Sequence, residues 1–191
     1  KYIRTIYNKA NDMDRLINEL TVYSGIDNNR IPYHFHRINV AEYFGDCVEE
    51  VGLDLESKNV ELDYSNLVTQ DTMIIADPEQ MKRVINNIIS NSVKYMDKPK
   101  GKIDIRLLDE VDSVRIEIED NGKGIAAKDL PLIFERFYRV DKGRSRKQGG
   151  TGLGLSIVKH IVNFYHGSVK VESEVGKGSR FTVKLQIAEA K

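Results

Sequence analysis

The chain has 191 residues, 40% hydrophobic and 30% charged, with 29 basic side chains balanced by 29 acidic ones. Zero net charge excludes a global pull toward nucleic acid or an anionic membrane, so any electrostatic function must come from local clusters. The single cysteine, Cys47, excludes an internal disulfide and carries no metal-ligand spacing, which suits a reducing, cytoplasmic setting. No apolar run approaches the roughly 20 residues that span a bilayer, and no signal peptide is visible. The chain opens on Lys1 without a methionine, so it is expected to be a fragment. Membrane attachment would come only from segments upstream.

Residues 1–24 read as one helix. Ile3, Ala10 and Ile17 recur every seven residues, as do Ile6, Met13 and Leu20, which makes an a/d seam. Gly25 and Pro32 punctuate a polar linker over 25–33 that offers the helix little to pack on, so pairing with another helix is expected. "HFHRINV" alternates as a strand, 40–57 has helical spacing, and "VELDYS" is a second short strand. Asp77 is an N-cap, Pro78 fits the first helical position, and Gln80 completes a capping box for a helix running to about Tyr95. "KIDIRLL" and "SVRIEIED" alternate cleanly, which predicts a sheet covered on one face only. Residues 121–149 read as irregular, with a short helical piece near "LPLIFERF". A helix restarts at about Leu153 and runs to Tyr165. "GSVKVES" and "SRFTVKLQI" close the chain as a hairpin. The predicted class is α+β: a mixed, mostly antiparallel sheet with helices on one face, preceded by a coiled-coil-type helix.

Three stretches carry chemistry. On the helix after Pro78, Asn87, Asn91 and Lys94 form a row opposite the apolar face of Met81, Val84, Ile85, Ile88, Ser92 and Tyr95. Asparagine is a poor interior helix former, so a row of it points to use of its carbonyl oxygens, which suit magnesium beside phosphate. Lys94 adds a point charge for the same phosphates. In "EDNGKGI", Asp120 ends an apolar-patterned strand; it could accept from an exocyclic amine such as that of adenine, with Gly122 and Gly124 leaving room for a flat ring. In "QGGTGLGLSIV", Gly150, Gly152 and Gly154 alternate before a helix start, which attracts phosphate. The spacing matches neither a dinucleotide fingerprint nor a Walker loop. Between these, Arg136, Arg139, Lys142, Arg144, Arg146 and Lys147 interleave with Phe134, Phe137 and Tyr138. A basic lid over a polyphosphate fits this stretch better than a nucleic-acid patch, because no nucleic-acid motif accompanies it.

The order "NNIISNSVKY", "DNGKGI", "IFERFYR", "GGTGLGL" resembles the N, G1, F and G2 boxes of the catalytic, ATP-binding domain of sensor histidine kinases, in the GHKL superfamily. The resemblance covers residues 34–188, with a lid at 121–152. The leading helix resembles the second helix of that family's dimerisation and phosphotransfer hairpin. It implies that Asn91 ligates magnesium with Asn87 as its N-box partner, that Lys94 and Arg139 contact phosphates, and that Tyr95 packs at the nucleotide. Asp120 matches the aspartate that binds the adenine amine, flanked by Gly122 and Gly124. Gly150, Gly152 and Gly154 match the hinge and phosphate loop. Ile125, Phe134, Thr151 and Leu153 complete the implied nucleotide-binding set.

The superfamily's ATPases use a glutamate one helical turn before the magnesium asparagine, and this sequence has Asn87 there. An amide cannot take a proton from water, whereas an imidazole acceptor needs no such base. The expected enzyme is therefore a histidine protein kinase using ATP and Mg²⁺, with a response regulator as partner and a homodimer formed through the hairpin. Catalysis would fall to Asn87, Lys94 and Arg139. None of His34, His36, His160 or His166 has the family's acceptor context, so the acceptor is expected upstream of Lys1. Two alternatives stay open: a nucleotide-sensing scaffold without turnover, and a related kinase for serine on a regulatory protein.

Overall fold

The computed structural model describes residues 2–27, 33–140 and 151–188. Helix α1 (Tyr2–Asp27) comes first. Strand β1 (His36–Asn39), helix α2 (Val40–Ser57), strand β2 (Val60–Leu67), strand β3 (Met73–Ala76) and helix α3 (Pro78–Lys94) follow. Strands β4 (Gly101–Asp109) and β5 (Ser113–Asp120) lead to a 3₁₀ turn (Leu130–Leu132), and the chain closes with helix α4 (Gly154–Phe164), β6 (Ser168–Glu174) and β7 (Gly178–Gln186). The main sheet has the order β2-β4-β5-β7-β6. All its pairs are antiparallel except β2 with β4, whose connection through β3 and α3 is long enough for a parallel crossover.

Period-two alternation sorts the sheet into two faces. Ile103, Ile105 and Leu107 of β4, Val114, Ile116 and Ile118 of β5, and Phe181, Val183 and Leu185 of β7 are buried beneath the helices. Asp120 continues the buried phase of β5, which is what carries a carboxylate under the helical layer. The other face is a lattice of cross-strand charges: Lys102 with Asp63 and Asp104, Arg106 with Glu117 and Glu119, Lys184 with Glu110. Pairs this exposed contribute little stability each, but opposite charges suit directly facing positions and like charges do not. The sheet is thus covered on one face, as its alternation predicts.

Helix α3 buries Met81, Val84, Ile85, Ile88, Ile89 and Ser92 at helical spacing, and α4 buries Ile157, Val158, Ile161 and Val162; the two pack against each other. Asp77 caps α3 by accepting from the Glu79 and Gln80 amides at 2.9 and 3.4 Å. The expected capping box does not close. The Asp77 amide donates instead to the Tyr165 hydroxyl at 3.1 Å, and Gln80 Oε1 is buried with no partner among the described residues.

Other boundaries differ for local reasons. α1 passes through Gly25 to Asp27, past the expected end at 24. The strand expected over 34–40 begins at His36 and ends at Asn39, because the Asn39 side chain accepts from the Glu42 amide and caps α2. His34 lies outside it, its amide donating to Asp77 Oδ2 at 2.9 Å. β1 pairs with β3, a strand not expected from the sequence, and not with the main sheet. The helical piece near "LPLIFERF" is a single 3₁₀ turn. Tyr33 stacks on Phe164 with centroids 3.9 Å apart, which ties the start of this α/β unit to the end of α4. The α1 seam finds no such cover: Ile3, Ile6, Met13 and Ile17 are all more than half exposed.

Candidate functional site

A cavity of about 190 Å³ opens where the second half of α3, the end of β5, the segment at 138–140 and the start of α4 converge. Asp120, only 8% exposed, lines it. Its Oδ2 accepts from the Ser92 hydroxyl at 2.8 Å and its Oδ1 from the Gly122 amide at 2.9 Å. Desolvation pushes its pKa above the ordinary carboxylate value, against the opposing hydrogen bonds from the Gly122 amide, Ser92 and the Ser179 backbone. A carboxylate kept buried at that cost is a functional-site signature when it faces a cavity.

Asn87, Asn91 and Lys94 line the cavity from α3. A Cβ at Gly154 would stand 3.5 Å from Asn87 Oδ1, so the first turn of α4 lies directly against that amide. No side chain caps α4, which leaves its N-terminal amides and dipole toward an anion in the cavity. Thr151 Oγ1 accepts from the Leu153 amide at 3.0 Å and shapes the approach to that turn. Arg139 also lines the cavity, and its Nη2 is buried with no hydrogen-bond partner among the described residues. A buried, unpaired guanidinium nitrogen beside a cavity suits a phosphate oxygen. Tyr95 also lines the cavity, its ring under two ammonium groups, Lys94 Nζ at 5.3 Å and Lys123 Nζ at 4.7 Å from the centroid.

Of the residues expected at a nucleotide site, eleven line this cavity: Asn87, Asn91, Lys94, Tyr95, Asp120, Gly124, Ile125, Arg139, Thr151, Gly152 and Gly154. Gly122, Phe134 and Leu153 do not. Leu153 is fully buried in the core and Phe134 packs against that core from its edge. A Cβ at Gly122 would come 2.9 Å from the Tyr95 carbonyl oxygen, and one at Gly124, with φ +70°, 2.1 Å from the Glu174 carbonyl oxygen. At both positions the space a side chain would need is taken by the chain's own backbone. Gly152, with φ +77°, stands against the backbone of Phe137 and Tyr138, and its carbonyl accepts from the Phe137 amide at 3.0 Å. It is half of a clasp as well as a bend. Gly150 and the basic residues Lys142, Arg144, Arg146 and Lys147 lie outside the described residues.

The sequence reading missed Ser92, Lys123, Tyr138, Ser179 and Phe181 as lining residues. Ser92 left a signal, being a hydroxyl on an otherwise apolar helix face. Ser179 and Phe181 arrive through register, since Asp120 pairs with Ser179 and Ile118 with Phe181. Among the described residues no group of three or more His, Cys, Asp or Glu side chains could hold a metal ion. The neutral oxygens of Asn87 and Asn91 fit a hard cation that brings phosphate oxygens as its other ligands.

A family model described as histidine kinase-, DNA gyrase B-, and HSP90-like ATPase matches residues 76–189. The chain is 33% identical, over 99% of its length, to sensor histidine kinase WalK of Bacillus subtilis (strain 168), covering 31% of that protein. It spans from 11% to 40% of the length of curated relatives it matches. In fold it matches the Acinetobacter baumannii histidine kinase AdeS, with a TM-score of 0.76 at 20% identity, covering 98% of this chain and 84% of that one. It also matches full-length ShkA, solved in complex with AMPPNP, with a TM-score of 0.81 at 23% identity, covering 97% of this chain and 38% of that one. The chain therefore belongs to the histidine kinase-, DNA gyrase B- and HSP90-like ATPase family, as an ATP-binding catalytic domain of the sensor histidine kinase kind.

Proposed function

We propose that residues 34–188 bind magnesium-ATP and transfer its γ-phosphoryl group to a histidine on a helical hairpin whose second helix is α1. The observation that carries this reading is one cavity lined both by the buried Asp120 carboxylate and by an Arg139 Nη2 that has no hydrogen-bond partner among the described residues. The first suits the exocyclic amine of adenine and the second a terminal phosphate oxygen. ShkA, which shares this fold, was solved in complex with AMPPNP, an ATP analogue.

In the transfer, a bond forms between an imidazole nitrogen and the γ-phosphorus. The bond from that phosphorus to the bridging oxygen breaks, and ADP leaves with the electron pair. Arg139 and Lys94 offset the charge on the moving group, and the α4 amides hold the chain of phosphates in line. Asn91 would hold a magnesium ion, which when bound would neutralise phosphate charge. Asn87 lies against α4 at the position where a hydrolytic relative carries its base, and its amide cannot deprotonate water. Transfer over hydrolysis follows from that substitution. The phosphohistidine would then pass its phosphoryl group to a response regulator, and the exposed seam of α1 would pair with a second copy.

Labelled γ-phosphate decides the reading. The chain alone should take up no label, and an added histidine-bearing hairpin should take it up only with magnesium. Asn91→Ala should abolish that uptake. Rapid steady release of inorganic phosphate without label on the hairpin would instead make this an ATPase.

A further inference from the structure

One buried carboxylate lies near the cavity without lining it. Asp129, at the head of the 3₁₀ turn, is 7% exposed. Its Oδ1 accepts from the Tyr138 hydroxyl at 2.7 Å, while its Oδ2 is buried with no partner among the described residues. Burying a carboxylate on a single side-chain hydrogen bond is costly, and a neutral acceptor would serve packing alone better. The Tyr138 phenol is pushed above its ordinary pKa, first by that hydrogen bond, so it remains a donor through the neutral range.

Tyr138 lines the cavity immediately before Arg139 and packs against the core. Its backbone is held from the other side. Phe137 takes the left-handed conformation, φ +61°, and its amide donates to the Gly152 carbonyl at 3.0 Å. The carbonyl of Tyr138 lies 2.9 Å from where a Cβ of residue 152 would stand. Tyr138 is thus held at its hydroxyl by Asp129, its neighbour Phe137 is held at its backbone by Gly152, and the residue that follows is Arg139, whose Nη2 is buried with no hydrogen-bond partner among the described residues.

We propose that Asp129 is a positioning residue for the nucleotide's terminal phosphate: by accepting the Tyr138 hydroxyl it fixes the turn of chain from which Arg139 enters the cavity. The inference rests on reading Arg139 as the γ-phosphate contact.

Affinities for magnesium-ATP and magnesium-ADP, measured by titration calorimetry alongside melting curves, test both statements separately. Arg139→Ala should weaken ATP about tenfold and ADP less than about twofold. Tyr138→Phe and Asp129→Ala should each reduce the preference for ATP over ADP by about fivefold, and the double variant by no more than either single one. Asp129→Asn, whose amide oxygen still accepts the phenol, should keep most of the preference. Tyr138→Phe preserves the ring's packing and carries the test should Asp129→Ala fail to fold. If Arg139→Ala leaves the preference intact, the phosphate reading falls and this proposal with it. If Arg139→Ala removes the preference while Tyr138→Phe weakens ATP and ADP alike, or neither, the positioning role alone is overturned. Multiplying effects in the double variant overturn it too.

Discussion

Replacing Asp120 by Asn separates what the site does from what the fold needs. The carboxylate is 8% exposed, and burial raises its pKa above the ordinary value against the opposing hydrogen bonds. A carboxylate whose native pKa is raised favours folding fully only below its ordinary value, about pH 4, and that contribution is lost as the pH rises through the native value. At neutral pH the charged group therefore costs stability, and Asn removes that cost. The amide introduces one misplaced donor, but the Ser92 hydroxyl, now donating to Oδ2 at 2.8 Å, can turn and accept from it. The variant should match or exceed wild-type stability at pH 7 by up to about 1 kcal/mol, with the difference vanishing near pH 4. Binding moves the other way. An adenine amine loses a charged acceptor worth about 1.5–3 kcal/mol, so ATP affinity should fall roughly 10- to 150-fold. Urea denaturation between pH 4 and 8, paired with ATP titration, measures both. Several kcal/mol lost at pH 7 with ATP affinity unchanged would make Asp120 a structural residue and refute the reasoning.

Three further substitutions follow from the same geometry. Gly124→Ala puts a methyl 2.1 Å from the Glu174 carbonyl oxygen at φ +70°, a clash with backbone that no rotamer relieves. It should lower unfolding free energy by about 3 kcal/mol in urea. Gly154→Ala meets Asn87 Oδ1 at an ordinary 3.5 Å within the first turn of α4, so the melting temperature should rise with about 0.5–1 kcal/mol of added helix stability. ATP affinity should nonetheless drop, because the methyl enters the cavity; a fall in melting temperature would contradict this. On the proposed pairing of the α1 seam with a second copy, Ile6→Glu with Met13→Glu, at positions 68% and 62% exposed, should leave the melting of the α/β unit unchanged and abolish self-association in sedimentation.

What the sequence disclosed follows the range of the forces involved. Strands β4 and β5 were legible because a sheet covered on one face imposes strict alternation, and the same alternation put Asp120 on the buried side. The start of α3 was legible because Asp77 and Pro78 act on their own first turn. Gly25 misled as a helix stop, since glycine costs a helix only about 1 kcal/mol and does not forbid it. β3 was hidden because four residues leading into a helix have too short a period to register as a strand. The glycine boxes are the instructive case. Their spacing is local and marks the family that the match over 76–189 shows, but the reason for individual glycines is distant. Gly122 answers to the carbonyl of Tyr95, Gly124 to that of Glu174 and Gly152 to the backbone of Phe137. Gly154 meets a side chain, Asn87, at ordinary contact distance. So glycines of one motif should fail differently when replaced. Those pressed against backbone should lose the fold, and with it every ligand alike. The one at the head of α4 should lose phosphate while the fold survives, and that contrast distinguishes chain closure from ligand contact within a single sequence pattern.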